Sequence, residues 1–208
     1  MNKDLIIFFS VLALASCHNN KIEHRKEWYD SNKTQIKKEY YILHSRNLPN
    51  GIQGEYKEYF KDGGIELEGN YLANQKHGKF IKYNEKGLKI TEQEYRFDKL
   101  DSISRDYYPN GKVKLECSYS KDTLDGPMIQ YFENGNIYKL INIKKGVKQG
   151  VAKLFYISGN LQAILNYKEG TLDGTISSFD SSGVLIKEKH YKNGIDISGE
   201  QISLKNHN

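Results

Sequence analysis

Cysteine, tryptophan, methionine and proline are all scarce: 2 Cys, 1 Trp, 2 Met and 3 Pro in 208 residues. Two cysteines, Cys17 and Cys117, exclude a disulfide framework and a Cys-rich zinc site. Hydrophobic residues reach only 38%, too few for a thick two-layer α/β core. Charge of one sign is missing as well. The 31 Lys+Arg are scattered among 26 Asp+Glu, so no one-signed face for nucleic acid is expected. There is no P-loop, GxSxG, GxGxxG, HExxH or EF-hand loop, so no cofactor and no catalytic residues are assigned. The six histidines (His18, His24, His44, His77, His190, His207) share no ligand spacing, and no metal site is expected.

What is plentiful is Tyr, with 16, and Gly, with 18. That pairing suits short aromatic-rich strands separated by glycine turns. Aromatics at 12% and a net charge of only +5 argue against disorder.

The one long apolar run, Leu5 to Ala15, is too short to span a bilayer and has the length of a signal-peptide core. It ends in Leu14-Ala15-Ser16-Cys17, which resembles the lipobox of bacterial lipoproteins. The resemblance implies removal of residues 1–16 and acylation of Cys17, anchoring the chain in the cell envelope. His18, rather than Asp, after the Cys points by analogy to the outer membrane, on its periplasmic or outer face. A flexible tether is expected over 17–27 and a C-terminal tail over 200–208. Cys117 reads as a small packing residue.

Between them the chain repeats. Gly54, Gly78, Ser102, Gly126, Gly150 and Gly174 are spaced by 24 without a slip. Five places after each stands an aromatic: Tyr59, Tyr83, Tyr107, Tyr131, Phe155, Phe179. Nine places after each stands a glycine, from Gly63 to Gly183, and seventeen places after come Tyr71, Tyr95, Tyr119, Ile143, Tyr167 and Tyr191. Six repeats thus cover 54–199, and a degenerate one with an insertion covers 28–53, where Tyr29 and Tyr41 keep the spacing of Tyr59 and Tyr71. Gly199 follows Gly174 by 25, which reads as a last unit one residue longer than the others.

Asn134-Gly135 favours positive φ at both centres of a two-residue hairpin turn. Each unit is therefore a β-hairpin and the chain an antiparallel meander. A two-residue turn pairs Phe132 with Ile137 and gathers Met128, Phe132, Ile137, Ile141 and Ile143 on one face. In the next unit that face takes Leu154, Tyr156, Leu161, Leu165 and Tyr167, while Tyr131 and Phe155 point the other way. One more residue in the turn reverses the faces, so which is buried stays open.

The motifs YFKDG (59–63), YNEKG (83–87), YYPNG (107–111), YFENG (131–135), FYISG (155–159) and FDSSG (179–183), with LDG at 124–126 and 172–174, resemble the MORN repeat in its bacterial variant form. Ser102 in place of glycine is one departure. The resemblance implies an elongated all-β sheet of six to seven stacked hairpins that works as a scaffold binding partners; some members carry an antitoxin label, which an exported chain fits poorly. The expected role is a non-enzymatic, lipid-anchored scaffold for an envelope protein. The alternative is binding of glycan or anionic lipid through aromatic rings and basic loops. Tyr56, Phe60, Tyr108, Phe132 and Tyr156 are the candidate ligand or partner surface. Asp101, Asp125 and Asp173 recur in equivalent loops and are read as turn residues, not as a catalytic pair. Asp101-Ser102-Ile103 and Asp122-Thr123-Leu124 resemble an O-glycosylation sequon of exported proteins.

Overall fold

A computed structural model describes residues 20–45 and 50–199. Cys17, the segment 1–16 and the tail 200–208 lie outside the described residues. The fold is all-β, an antiparallel meander of nineteen strands among the described residues. Five of these are two-residue pieces, such as Val147–Lys148, that follow a tight turn. The chain divides into two compact units, 1–100 and 101–208.

The unit Gly126 to Gln149 shows how the repeat is built. The strand Thr123–Tyr131 runs to a loop in which Gly135 N–H donates to Phe132 O (2.9 Å) and Phe132 N–H to Asn136 O (2.8 Å). The loop is therefore three residues, Glu133-Asn134-Gly135, a type I turn whose last residue is left-handed (Gly135 φ 97). This corrects the two-residue turn. The added residue does not reverse the faces, because the register steps by one between Gln130 and Tyr131. Gln130 pairs with Lys139 and Tyr131 with Ile137, leaving Tyr138 as an extra residue in its strand. Loop and bulge cancel. Met128 still lies opposite Ile141, and the face that holds Ile141 and Ile143, left open by the sequence, is the buried one. The same step recurs beside Tyr59, Tyr83, Tyr107, Phe155 and Phe179.

The two-residue turn with both centres at positive φ sits at the other end of the hairpin, at Lys145-Gly146 (φ 49 and 80). Ala73-Asn74, Phe97-Asp98 and Lys121-Asp122 do the same without glycine. The glycine that starts each unit also has positive φ, and Ser102 holds the same region at φ 140.

Two boundaries move. Lys21–Trp28 is an eight-residue strand paired with Ile36–His44, so the tether expected over 17–27 ends by Asn20 and the first hairpin starts before residue 28. The run looks like a linker in composition, but its charges match the next strand: His24 Nε2 lies 2.7 Å from Glu39 and His44 Nε2 2.8 Å from Glu23. At the other end Ile197 N–H donates to His190 O as Asp173 N–H does to Asn166 O. Ser198, not Gly199, thus stands where the next unit's glycine would be, and the spacing of 24 holds.

Candidate functional site

Side chains alternate between two faces of each hairpin, and the register fixes which share a face. In the first compact unit the inner face is a file of rings: Tyr40–Tyr56 at 6.0 Å, Tyr56–Tyr71 at 5.1 Å, Tyr71–Phe80 at 5.5 Å and Phe80–Tyr95 at 5.3 Å between centroids. Small or flexible residues make room for it, since Tyr56 lies opposite Gly69 and Phe80 opposite Gln93. In the second unit the same places hold Met128 opposite Ile141 and Ala152 opposite Leu165, giving an aliphatic cluster of Ile141, Ile143 and Ala152.

Tyr56 is therefore not a surface ring: it is 5% exposed. Lys38 Nζ donates to its hydroxyl (3.1 Å) and to Glu58 (3.1 Å), and the hydroxyl donates to Glu58. Burial, with Glu58 accepting its proton, pushes the Tyr56 phenol up to about 12. The bond that Lys38 donates to the Tyr56 hydroxyl is the largest effect raising its ammonium, ahead of the opposing cost of burial.

The outer faces differ more. In the first unit one row across the strands reads Lys26, Glu39, Lys57, Glu68, Ile81, Glu92. Tyr59 donates to Glu39 (2.9 Å) and Tyr83 to Glu68 (2.6 Å), and burial followed by those carboxylates pushes both phenols up to about 12. Burial would raise the Glu92 carboxyl, but Lys89 and Lys79, each at 2.9 Å, outweigh it and hold it at about 2.

In the second unit the corresponding row reads Arg105, Glu116, Ile129, Leu140, Lys153, Ile164, Ser177, Glu188. Arg105 meets Glu116 at 2.7 Å and Ser177 donates to Glu188 at 2.9 Å, but the middle is apolar. Where the glutamates become Leu140 and Ile164, the aromatics five places after the next glycines become Phe155 and Phe179. Hydroxyl and carboxylate are lost together.

Phe60, Tyr108, Phe132 and Tyr156 occupy one equivalent place beside the loops and are all half-buried. Tyr108 donates to Tyr131 O (2.7 Å) and Tyr156 to Phe179 O (2.8 Å), each tying its loop to the next unit. Asn110, Asn134 and Asn160 reach the next loop's carbonyls in the same way. The polar residue closing a unit caps a turn twenty residues on: Gln53 accepts from Ala73 N–H, Gln149 from Glu169 N–H and Asp173 from Asn193 N–H. Asp173, read from the sequence as turning its own backbone beside a glycine, thus caps the turn of the next unit instead. His77 departs from the pattern. Its Nδ1 is buried with no hydrogen-bond partner among the described residues, and its ring lies 5.0 Å from Phe97. Cys117 is buried opposite Met128. Among the described residues no group of three or more His, Cys, Asp and Glu could hold a metal ion.

No curated protein matches the chain. The MORN repeat variant profile matches residues 52–73, 100–121, 124–145, 148–169 and 172–193, just over half of the sequence. It passes over 76–97, the copy that carries His77 and Phe97. Five matched copies in the register of the hairpins show that the chain belongs to the MORN repeat variant family.

Proposed function

We propose that this chain is a lipid-anchored, non-enzymatic scaffold that holds a protein partner at the bacterial cell envelope. MORN repeats are commonly protein- and membrane-interaction motifs. The observation that carries the reading is a division of labour among the side chains. Gly, Asn, Gln53, Gln149 and Asp173 recur from unit to unit and are spent on turns and on ties between loops. The outer rows change from unit to unit, on a surface no second layer of the described residues covers. Binding specificity belongs on such a surface, since it alters without disturbing the frame. The lipobox-like run at 14–17 supports acylation at Cys17, and His18 after it supports an outer-membrane address.

The test is in two parts. Cys17→Ala should release the protein from the membrane fraction or leave it uncleaved; unchanged retention refutes the anchor. Crosslinking of the native lipoprotein should give one stoichiometric protein partner that is lost when units are deleted. The second reading, glycan or anionic-lipid binding, is favoured by the half-buried rings of Phe60, Tyr108, Phe132 and Tyr156 in one equivalent place. Saturable sugar or lipid binding by residues 18–208, abolished by Tyr108→Ala or Phe132→Ala, would replace the scaffold reading.

A further inference from the structure

We propose that the outer face of the second compact unit is the docking surface for an amphipathic helix of a protein partner, a helix whose apolar stripe carries one carboxylate to meet Lys153. This rests on the scaffold reading and names the face and the chemistry of the partner.

The register places Ile129, Leu140, Lys153 and Ile164 directly opposite one another on four adjacent strands. At about 4.8 Å per strand the row is roughly 14 Å long, between two and three turns of a helix. Phe155 and Phe179 flank it without the hydroxyls that Tyr59 and Tyr83 use against glutamates in the first unit. The departure from the repeat is thus coupled: both members of each Tyr–Glu pair change, and only on this face.

Lys153 is the exception that selects the partner. It is exposed, its cross-strand neighbours are Leu140 and Ile164, and it makes no ion pair among the described residues. Arg105 and Glu188, at the ends of the same row, both have partners. An apolar body covering this face would strip water from an unpaired ammonium, at a cost that a carboxylate in the stripe offsets. A second copy of the chain fits poorly, because a two-fold axis through the row brings two Lys153 side chains together. A lipid surface would meet one cation here, too little for stable electrostatic attachment.

The test uses the full chain and two synthetic helical peptides of about eighteen residues, identical except for Glu or Lys in the middle of a leucine stripe. Fluorescence anisotropy should show the Glu peptide binding about tenfold more tightly. Lys153→Glu should invert that preference, and Lys57→Glu in the first unit should leave it unchanged. Equal affinity for the two peptides, no binding, or indifference to Lys153→Glu overturns the proposal. In cells, a photo-crosslinking residue at Val151, on this face and 40% exposed, should capture a protein at a helical stripe containing Asp or Glu. The same probe at Lys187, on the opposite face, serves as the control. Capture of a protein from Lys187 alone overturns this face but keeps the scaffold. Capture of lipid or of a second copy at Val151 overturns the helix. No protein captured from either position overturns both readings.

Discussion

The two compact units share one frame and fill it in opposite ways. The first packs rings inward against Gly69 and Gln93 and covers its outer face with paired charges and phenols. The second packs Ile141, Ile143 and Ala152 inward and sets Ile129, Leu140 and Ile164 in the middle of its outer row. The frame fixes the turns and lets the filling of each strand pair vary: Tyr56 faces Gly69 and Phe80 faces Gln93, while Met128 faces Ile141 and Ala152 faces Leu165.

Truncating the inner faces should separate the units most. Ile141 is 1% exposed, and Ile141→Ala should cost about 3 kcal/mol through the cavity it leaves. The counterpart in the first unit is an insertion. A Cβ added at Gly69 would press into the Phe80 ring, and Gly69→Ala should cost about 2 kcal/mol by overpacking. Urea denaturation measures both. If Gly69→Ala is neutral, the file of rings is looser than its spacings imply.

Acid should separate them next. The folded Glu92 carboxyl sits at about 2, below its unfolded value of 4.5. Its stabilisation is present above the unfolded value and is lost as pH falls from near 4.5 toward 2. The lysines are half exposed, so about 1 kcal/mol is expected after solvent screening. Glu92→Gln should abolish that part of the acid response in equilibrium unfolding followed against pH. At the alkaline end Tyr59 and Tyr83 are raised, so their contribution holds below pH 10 and is lost as pH rises through about 12. Phe155 and Phe179 carry no hydroxyl to titrate.

A smaller effect tests the coupled exchange of the outer face. Glu68→Leu and Tyr83→Phe should each destabilise by about 1 kcal/mol, while the double variant should recover most of the loss. Additive losses would mean that the pair in the first unit is two independent contacts. Smallest is the turn. Ala73 holds φ 50, and Ala73→Gly should raise the melting temperature slightly, by about 0.5 kcal/mol of stability.

The period, the hairpins and the shared face of Met128, Ile141 and Ile143 were legible because glycine spacing and side-chain alternation are local signals, whereas which face is buried was not. Turn length was not, since Asn134-Gly135 suits two turn types and the bulge at Tyr138 hides the difference from any reading of faces. The strand Lys21–Trp28 escaped because its pairing depends on charges in the next strand rather than on apolar alternation. Tyr56 reads as a surface ring until Gly69 is seen opposite it. The outer apolar row was visible in the sequence only as Glu68, Glu92 and Glu116 giving way to Leu140 and Ile164, a change that means little until the register sets Phe155 and Phe179 beside it.

The cancelling loop and bulge bear on how such a gene can grow. A copying error that adds a whole unit of 24 residues carries both irregularities with it and leaves every later side chain on its proper face. An error one residue short drops one irregularity and keeps the other, and every strand beyond it is turned inside out. Expansion is therefore quantised, and an unbroken spacing from Gly54 to Ser198 is what survives that filter.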